Sequence, residues 1–291
     1  GLGDVYKRQN LMSKTVIMVC AHKRDACLAE PPYLPVQVGR AIAREDLGYT
    51  GDDSGENISA KNRNYCELTA QYWAWKNRSD ADYIGLCHYR RYFDFGSRSL
   101  ANVKTRTPAE FFASAHPVPD MDRVFRRYDV VLGRPKYYPY NLYTDYSRQH
   151  IREDLDLLRT VLGEKYPDYL PAFDRFFFRG NRLSHFNMFV MPRERFDAYS
   201  AWLFDLLEEV ERRIRISDDP VQARVMGYMS ERLLNVYVQH NRLRICYRPV
   251  VMVDERKRKG TLKFLFHAGV NNLLFFVTYP FRKHAPSGDE G

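Results

Sequence analysis

Asp82-Tyr83-Ile84-Gly85-Leu86-Cys87-His88-Tyr89-Arg90-Arg91-Tyr92-Phe93 joins a short apolar run to an abrupt cluster of cations. Residues 83–89 have the length and composition of a strand buried on both faces. His88, Tyr89, Arg90 and Arg91 then fall at its carboxyl end, where an open α/β sheet usually holds its ligand. Arginine offers a planar fork of donors and stays charged at any working pH, so the ligand implied is anionic. The rival reading is that one arginine pairs with an internal carboxylate such as Glu67 or Asp94 while Tyr89 and Tyr92 pack.

Outward from this stretch, Thr15-Val16-Ile17-Met18-Val19-Cys20 is a second apolar run, right for a first buried strand and too short to span a bilayer. A Pro-rich loop, the tract Val36-Gln37-Val38-Gly39 and the polar loop 51–56 follow. Ser59 or Asn62 is expected to cap a helix in which Tyr65, Leu68, Tyr72 and Trp75 form an apolar stripe, a pattern of core packing. Residues 128–133 read as another buried strand. Further on, residues 151–162 read as an amphipathic helix, 184–191 as a strand and 195–213 as a long helix, and a further helix is expected from Asp218-Asp219-Pro220 to about Gln239. Alternating strands and helices predict an α/β domain with a mainly parallel central sheet and a helical C-terminal part.

The chain of 291 residues can bury one large core, and its 45% hydrophobic and 14% aromatic content is that of a folded protein. A formal net charge of +9 favours phosphates, nucleic acid or an anionic membrane, and arginines beside a strand end favour the phosphates of a small ligand. No nucleic-acid-binding signature is present. Five scattered cysteines contain no C-x-x-C pair, which suits a reducing cytoplasm. Residues 1–11 have neither the apolar core of a signal peptide nor the periodicity of an element; they are expected to be a non-native extension, with Met12 the start. Residues 12–253 are expected to form one catalytic domain and 254–291 a basic, aromatic tail. In that tail Arg256-Lys257-Arg258-Lys259 precedes an aromatic-rich segment and Arg282-Lys283. Two readings stay open for it: a segment lying on a membrane surface, or a helix packed on the domain.

Several constellations could carry chemistry. Asp80-Ala81-Asp82 matches a metal-binding D-x-D string but precedes its strand, so it reads as a loop or cap. Asp52 and Asp53 lie in a glycine-bounded loop, a better position for a ligand contact. Asn187, inside an apolar strand, needs a hydrogen bond that a sugar hydroxyl or a backbone group would supply, and His185 is equally ambiguous. Arg224, Tyr228, Glu231 and Arg232 fall on neighbouring helical turns; Glu231 would serve as a general base if desolvation raised its pKa, or would pair with Arg224 or Arg232. No nucleophile elbow, zincin motif or Walker loop occurs.

Beyond these readings, the chain resembles a bacterial exopolysaccharide and capsule-biosynthesis family of the DUF4422 type over roughly residues 15–250. The resemblance rests on His22-Lys23, Val36-Gln37-Val38-Gly39, Asn57-Ile58-Ser59, Lys61-Asn62, Tyr65-Cys66-Glu67-Leu68-Thr69, Tyr72-Trp73-Ala74-Trp75-Lys76-Asn77 and His88-Tyr89-Arg90-Arg91-Tyr92-Phe93. It continues through Asn187-Met188-Phe189, Trp202-Leu203-Phe204 and Ser230-Glu231-Arg232-Leu233. Ala60 departs from the acidic residue expected between Ser59 and Lys61. The family looks like hexosyltransferase-like glycosyltransferases of the GT-A type, with a nucleotide-sugar-binding α/β domain. The resemblance implies transfer of a sugar from a nucleotide-diphosphate donor to a saccharide or lipid-linked acceptor in capsule, exopolysaccharide or O-antigen synthesis. It implies a cytoplasmic enzyme, and the basic, aromatic tail, which lies outside the match, adds peripheral contact at the inner face of the plasma membrane as one of its two readings. By the same resemblance His22, Lys23, Asp52, Asn57, Asn62, Glu67 and His88 would hold the donor, and Arg90 and Arg91 would offset charge on the departing diphosphate. Asn187 would orient a sugar, with Glu231 and Arg232 at the acceptor side. A divalent metal such as Mn or Mg is left open. The alternative is a non-catalytic sugar-binding or assembly module of a polysaccharide-synthesis complex.

Overall fold

A computed structural model describes residues 13–255 and 261–279. The expected extension at 1–11, the basic residues 256–259 and Arg282-Lys283 lie outside the described residues. Among the described residues twelve strands follow in chain order: β1 (Thr15–Ala21), β2 (Tyr33–Gln37), β3 (Thr50–Gly51), β4 (Tyr83–His88), β5 (Arg91–Phe93), β6 (Val103–Arg106), β7 (Val130–Gly133), β8 (Lys136–Tyr137), β9 (Arg182–Leu183), β10 (Phe189–Pro192), β11 (Ile245–Arg248) and β12 (Val250–Val253). The central sheet runs β11-β7-β10-β4-β1-β2-β3. Pairing is parallel throughout this path except at β10, which is antiparallel to both β4 and β7. At one end, β4 turns through Tyr89 and Arg90 into β5, which pairs with β12, and β12 in turn pairs with β6.

The apolar runs are strands because both sheet faces are covered. Along β1, Val16, Met18 and Cys20 enter the larger core, while Ile17 and Val19 enter a smaller core on the opposite face. β7 divides in the same way, with Val130 and Leu132 on one face and Val131 on the other. A strand buried on both sides loses the polar half of its alternation, which is why these segments read as unbroken hydrophobic stretches. The larger core is closed by the helices Leu68–Asn77, Arg152–Lys165, Leu170–Arg179, Arg193–Arg213 and Val225–His240. Phe204 of the long helix fixes the aromatic stripe of Leu68–Asn77, stacking on Trp75 at 5.9 Å and meeting Tyr72 edge-on at 4.9 Å.

Three expected elements are corrected. The single helix expected from residue 59 is interrupted: a 3-10 turn at Ser59–Lys61 and a helical turn at Asn62–Tyr65 end at Cys66, whose φ is 53°, before Leu68–Asn77 begins. Neither Ser59 nor Asn62 caps it; the Asn62 Nδ2 instead donates to the Cys66 carbonyl at 2.7 Å and holds the reversal. The strand expected over 184–191 begins only at Phe189, because Phe186 and Asn187 take left-handed conformations with φ of 75° and 53°. The helix expected from Pro220 begins after a 3-10 turn at Gln222–Arg224, since the Asp219 side chain accepts from the Val221 and Gln222 N–H groups and holds a tighter turn there.

The helix Thr261–Thr278 packs on the domain through an unusual face. Asn271 donates to the Tyr137 carbonyl at 3.0 Å, Asn272 accepts from Asn181 at 3.1 Å, and Phe275 is 3% exposed. The outward side carries Leu265, Phe266, Val270, Leu273, Leu274, Phe276 and Val277. A packed helix is therefore present, yet its apolar side faces away from the domain. Among the described residues, no helix is long and apolar enough to cross a membrane.

Gly85 lies in β4 between β1 and β10, and a Cβ there would sit 2.9 Å from Val190 Cγ2 and 3.1 Å from the Phe189 carbonyl oxygen. Gly85→Ala should lower unfolding stability by about 1–3 kcal/mol through overpacking. The check is a urea midpoint that falls at constant slope; an unchanged midpoint would show that the three strands can part at no cost.

Candidate functional site

The chain passes from β1 to β2 on one side of the sheet and later returns to β4 on the other side of β1, which makes the carboxyl ends of β1 and β4 a topological switch point. His22 follows β1 and His88 ends β4. A cleft of about 940 Å³ opens there, facing residues of the Asn62–Glu67 reversal and of the helix Val225–His240. It brings together His22, Asn62, Glu67, His88, Arg90, Arg91, Glu231 and Arg232 from the expected set.

The cationic wall is a hairpin. His88 and Arg91 are register partners in the β4–β5 pair, so their side chains share a face, while Tyr89 and Arg90 form the turn between them. His88 Nε2 meets the Phe186 carbonyl at 2.6 Å, and burial, then the Arg91 charge, push its pKa down to about 4; a neutral imidazole donating to that carbonyl fits both facts. Arg91 is half-buried, lies 4.7 Å over the Phe186 ring, and leaves its Nε without a hydrogen-bond partner. Arg90 is more exposed and makes a two-nitrogen ion pair with Asp25, at 2.9 and 2.6 Å. The carboxylate partner expected for an arginine is thus Asp25, not Glu67 or Asp94. Asp94 pairs instead with Lys104.

Two carboxylates face these cations from the helical side, and their environments drive them apart. Burial raises Glu67 to about 7, with the Glu231 charge adding to the rise and Asn187 opposing it. Burial also acts to raise Glu231, but His185, Arg232 and the Phe186 N–H outweigh it and hold the group at about 2. The Phe186 N–H donates to Glu231 Oε1 at 2.5 Å, His185 Nδ1 lies 3.5 Å from the same oxygen, and Arg232 Nη1 donates to Oε2 at 3.1 Å. Of the two readings open for Glu231, a base with a raised pKa or a partner of Arg224 or Arg232, the structure has the pairing with Arg232, and the group is a locked anion. Glu67 is the carboxylate poised near neutrality.

Other expected residues fall elsewhere. Arg232 lines the cleft floor but is 2% exposed, divided between Glu231, Asp145 and the Tyr146 ring. Asn187 does not line the cleft: fully buried, it donates to Ser230 Oγ at 3.1 Å and to Glu67 Oε1 at 3.4 Å, and so positions Glu67. Asp52, also fully buried, accepts from the Gly39 and Arg40 N–H groups and from Ser59 Oγ, a loop-building role that satisfies its oxygens. Asn57 bonds the Asp53 and Gly55 carbonyls in the same loop, and Lys23 is exposed beside the cleft. Asp80 and Asp82, at the amino end of β4, pair with Lys14, Arg78 and the Lys14 N–H. Among the described residues, no three His, Cys, Asp or Glu side chains gather as a metal site would require.

Sequence reasoning missed His150, Gln149 and Arg63, which also line the cleft. His150 stacks on Tyr228 at 3.9 Å, making a flat aromatic platform, and burial followed by the Arg232 charge lowers its pKa to about 4. No local motif marks it; only its long-range contact with Tyr228 does. Three non-glycine residues with positive φ, Cys66, Phe186 and Asn187, ring this site, and such conformations persist only where surrounding bonds impose them.

The family described as Domain of unknown function (DUF4422) matches residues 16–242. Among solved structures, the apo structure of the WbbM bifunctional glycosyltransferase is similar with a TM-score of 0.74 and 30% sequence identity, over 84% of this chain and 46% of that one. This chain thus spans about half the length of that structure. No curated protein sequence matches.

The raised Glu67 pKa has a measurable cost. An unfolded glutamate titrates near about 4.3, so between that value and about 7 the native state keeps a proton that the unfolded state has released, and stability falls as pH rises through this window. Glu67→Gln, which never ionises, should therefore melt higher than the parent at about pH 8, with the gain shrinking toward about pH 4.5. A difference independent of pH would show that Glu67 is not held neutral by burial.

Proposed function

The chain belongs to the DUF4422 family, and we propose that it is a glycosyltransferase of the GT-A type, moving a sugar from a nucleotide-diphosphate donor to a saccharide acceptor. The observation that carries this reading is the cleft at the switch point, where a cationic hairpin faces two carboxylates of opposite protonation behaviour. Similarity to a glycosyltransferase structure supports it. The finer reading, supported by the sequence resemblance, is a lipid-linked acceptor in capsule, exopolysaccharide or O-antigen synthesis.

In this mechanism Arg91, lacking an acid partner of its own among the described residues, takes the diphosphate, with Arg90 beside it. His22, Lys23 and Asn62 flank the nucleotide, and the Tyr228–His150 platform offers a planar surface for a ring. The acceptor hydroxyl gives its proton to the Glu67 carboxylate as its oxygen attacks the anomeric carbon. The bond from that carbon to the diphosphate oxygen breaks, and the leaving anion is stabilised by the arginines. Glu231 stays ionised and holds Phe186 and His185 in place.

The outward apolar side of Thr261–Thr278 supports peripheral contact with an anionic bilayer. That helix contains no acidic residue, Lys263 lies on it, and basic residues 256–259 precede it in sequence. Five free cysteines agree with a reducing cytoplasm.

Purified protein given candidate donors and acceptors should release nucleotide diphosphate, which a non-catalytic sugar-binding module would not do. The rate should rise with pH as Glu67 ionises near about 7, and Glu67→Gln should remove that limb and slow turnover by about 10²–10⁴. Arg91→Ala should weaken donor binding about ten- to a hundredfold, the worth of a charge-assisted bond of about 1.5–3 kcal/mol. Unchanged donor affinity would remove Arg91 from the site.

Membrane contact has its own check, the paired substitution Leu273→Ser with Phe276→Ser. It should abolish salt-sensitive sedimentation with anionic vesicles and spare turnover of a soluble acceptor. Sedimentation equal to the parent's would overturn the contact.

A further inference from the structure

A second cavity, of about 740 Å³, opens on the far side of His185 and Phe186, which line both this cavity and the catalytic cleft. Its walls come from β6, β7 and β12, and Phe264 and His267 of the C-terminal helix reach into it from above. Its lining has two chemical characters. Val103, Val250, Met252, Phe186 and Phe264 form an apolar trough, while Arg134 and Lys136 stand at its edge, and no Asp or Glu is among the lining residues.

The arginine is the informative group. Arg134 is half-buried, has no carboxylate partner among the described residues, and its buried Nε makes no hydrogen bond. Arg248, whose Nε is likewise buried and unpartnered, is joined to it by the Arg134 N–H donating to the Arg248 carbonyl at 2.9 Å. Lys136 makes no ion pair among the described residues, its ammonium lying 4.5 Å over the Tyr138 ring. Cations drawn partly out of water without an anion are costly, and a phosphate would supply the missing acceptor oxygens. The helix above the cavity turns its apolar side outward.

We propose that this cavity binds a phosphate-bearing amphiphile, with the phosphate on Arg134 and Lys136 and the first part of the hydrocarbon chain along Val103, Met252 and Phe264. Identifying that amphiphile as the lipid end of the acceptor rests on the glycosyltransferase reading; the binding itself does not. A sugar attached beyond the phosphate would reach the catalytic cleft across the shared His185–Phe186 wall.

The test uses the full chain and farnesyl phosphate below its micelle concentration, measured by calorimetry, with farnesol and inorganic phosphate alongside. Saturable binding at least tenfold tighter than either comparison compound is expected. Arg134→Gln, the exposed Lys136→Gln, and Thr105→Trp, which fills the trough, should each weaken it tenfold or more while keeping the melting transition. Arg91→Ala should leave it unchanged. Equal affinity for inorganic phosphate would reduce the cavity to a simple anion site, and equal affinity for farnesol to an apolar one; either overturns the proposal. So would parental binding by all three cavity variants, or loss of binding in Arg91→Ala. If farnesyl phosphate binds as described but no donor yields nucleotide diphosphate, the transferase reading fails and the cavity stands.

Discussion

The Glu231 carboxylate reaches from the helix Val225–His240 to the Phe186 N–H at 2.5 Å, and this bond joins the helical layer to the loop that enters β10. Phe186 sits in a left-handed conformation, with its N–H turned to Glu231 and its carbonyl to His88. Neither group is then available for a sheet ladder, which is why β10 starts five residues later than expected, at Phe189. The same loop places the Phe186 ring beneath Arg91 and makes the wall between the two cavities. Removing the carboxylate would leave Arg232 buried with Asp145, the Tyr228 carbonyl and the Tyr146 ring, and breaking a buried pair in this way costs several kcal/mol in proteins generally.

Charge is distributed here by long-range pairing. Glu231 and Asp145 compensate Arg232, Asp25 compensates Arg90, and Arg91 is left without a carboxylate of its own among the described residues. Glu67 is left in turn without a direct cationic hydrogen bond among the described residues, and of the two cleft carboxylates it is the one whose pKa rises. The proposed transfer, with an anionic leaving group and a released proton, calls for this incomplete neutralisation. The positive φ of Cys66 belongs to the same arrangement, because the reversal it makes directs the next residue, Glu67, into the cleft.

The C-terminal helix shows the inverse of ordinary amphipathic packing. Its asparagines bond the domain and most of its large apolar side chains face outward, so packing on the domain and presentation of an apolar surface occur together. The two readings left open by the tail sequence were therefore not exclusive. The helix also covers the second cavity, which relates an outward apolar surface to an inward trough with a cationic edge.

The buried strands expected at 15–20, 83–89 and 128–133 were legible in the sequence, the last beginning two residues later at Val130, because a strand covered on both faces is apolar throughout, a property of local composition. The cation cluster at 88–91 was legible for a similar reason: the polarity changes abruptly where a strand leaves the core. Pairing was not legible. Nothing local to residues 189–192 says that they run antiparallel between β4 and β7, and nothing local to Asn187 says that it lies under the cleft and supports Glu67 across 120 residues of chain. Asp52 looked like a ligand contact from its loop, yet the Gly39 and Arg40 amides and Ser59 take its oxygens. The opposite protonation behaviour of Glu67 and Glu231 was decided by tertiary structure. A carboxylate's pKa depends on the water it loses and on the charges brought to it, and both are set by residues far away in the chain.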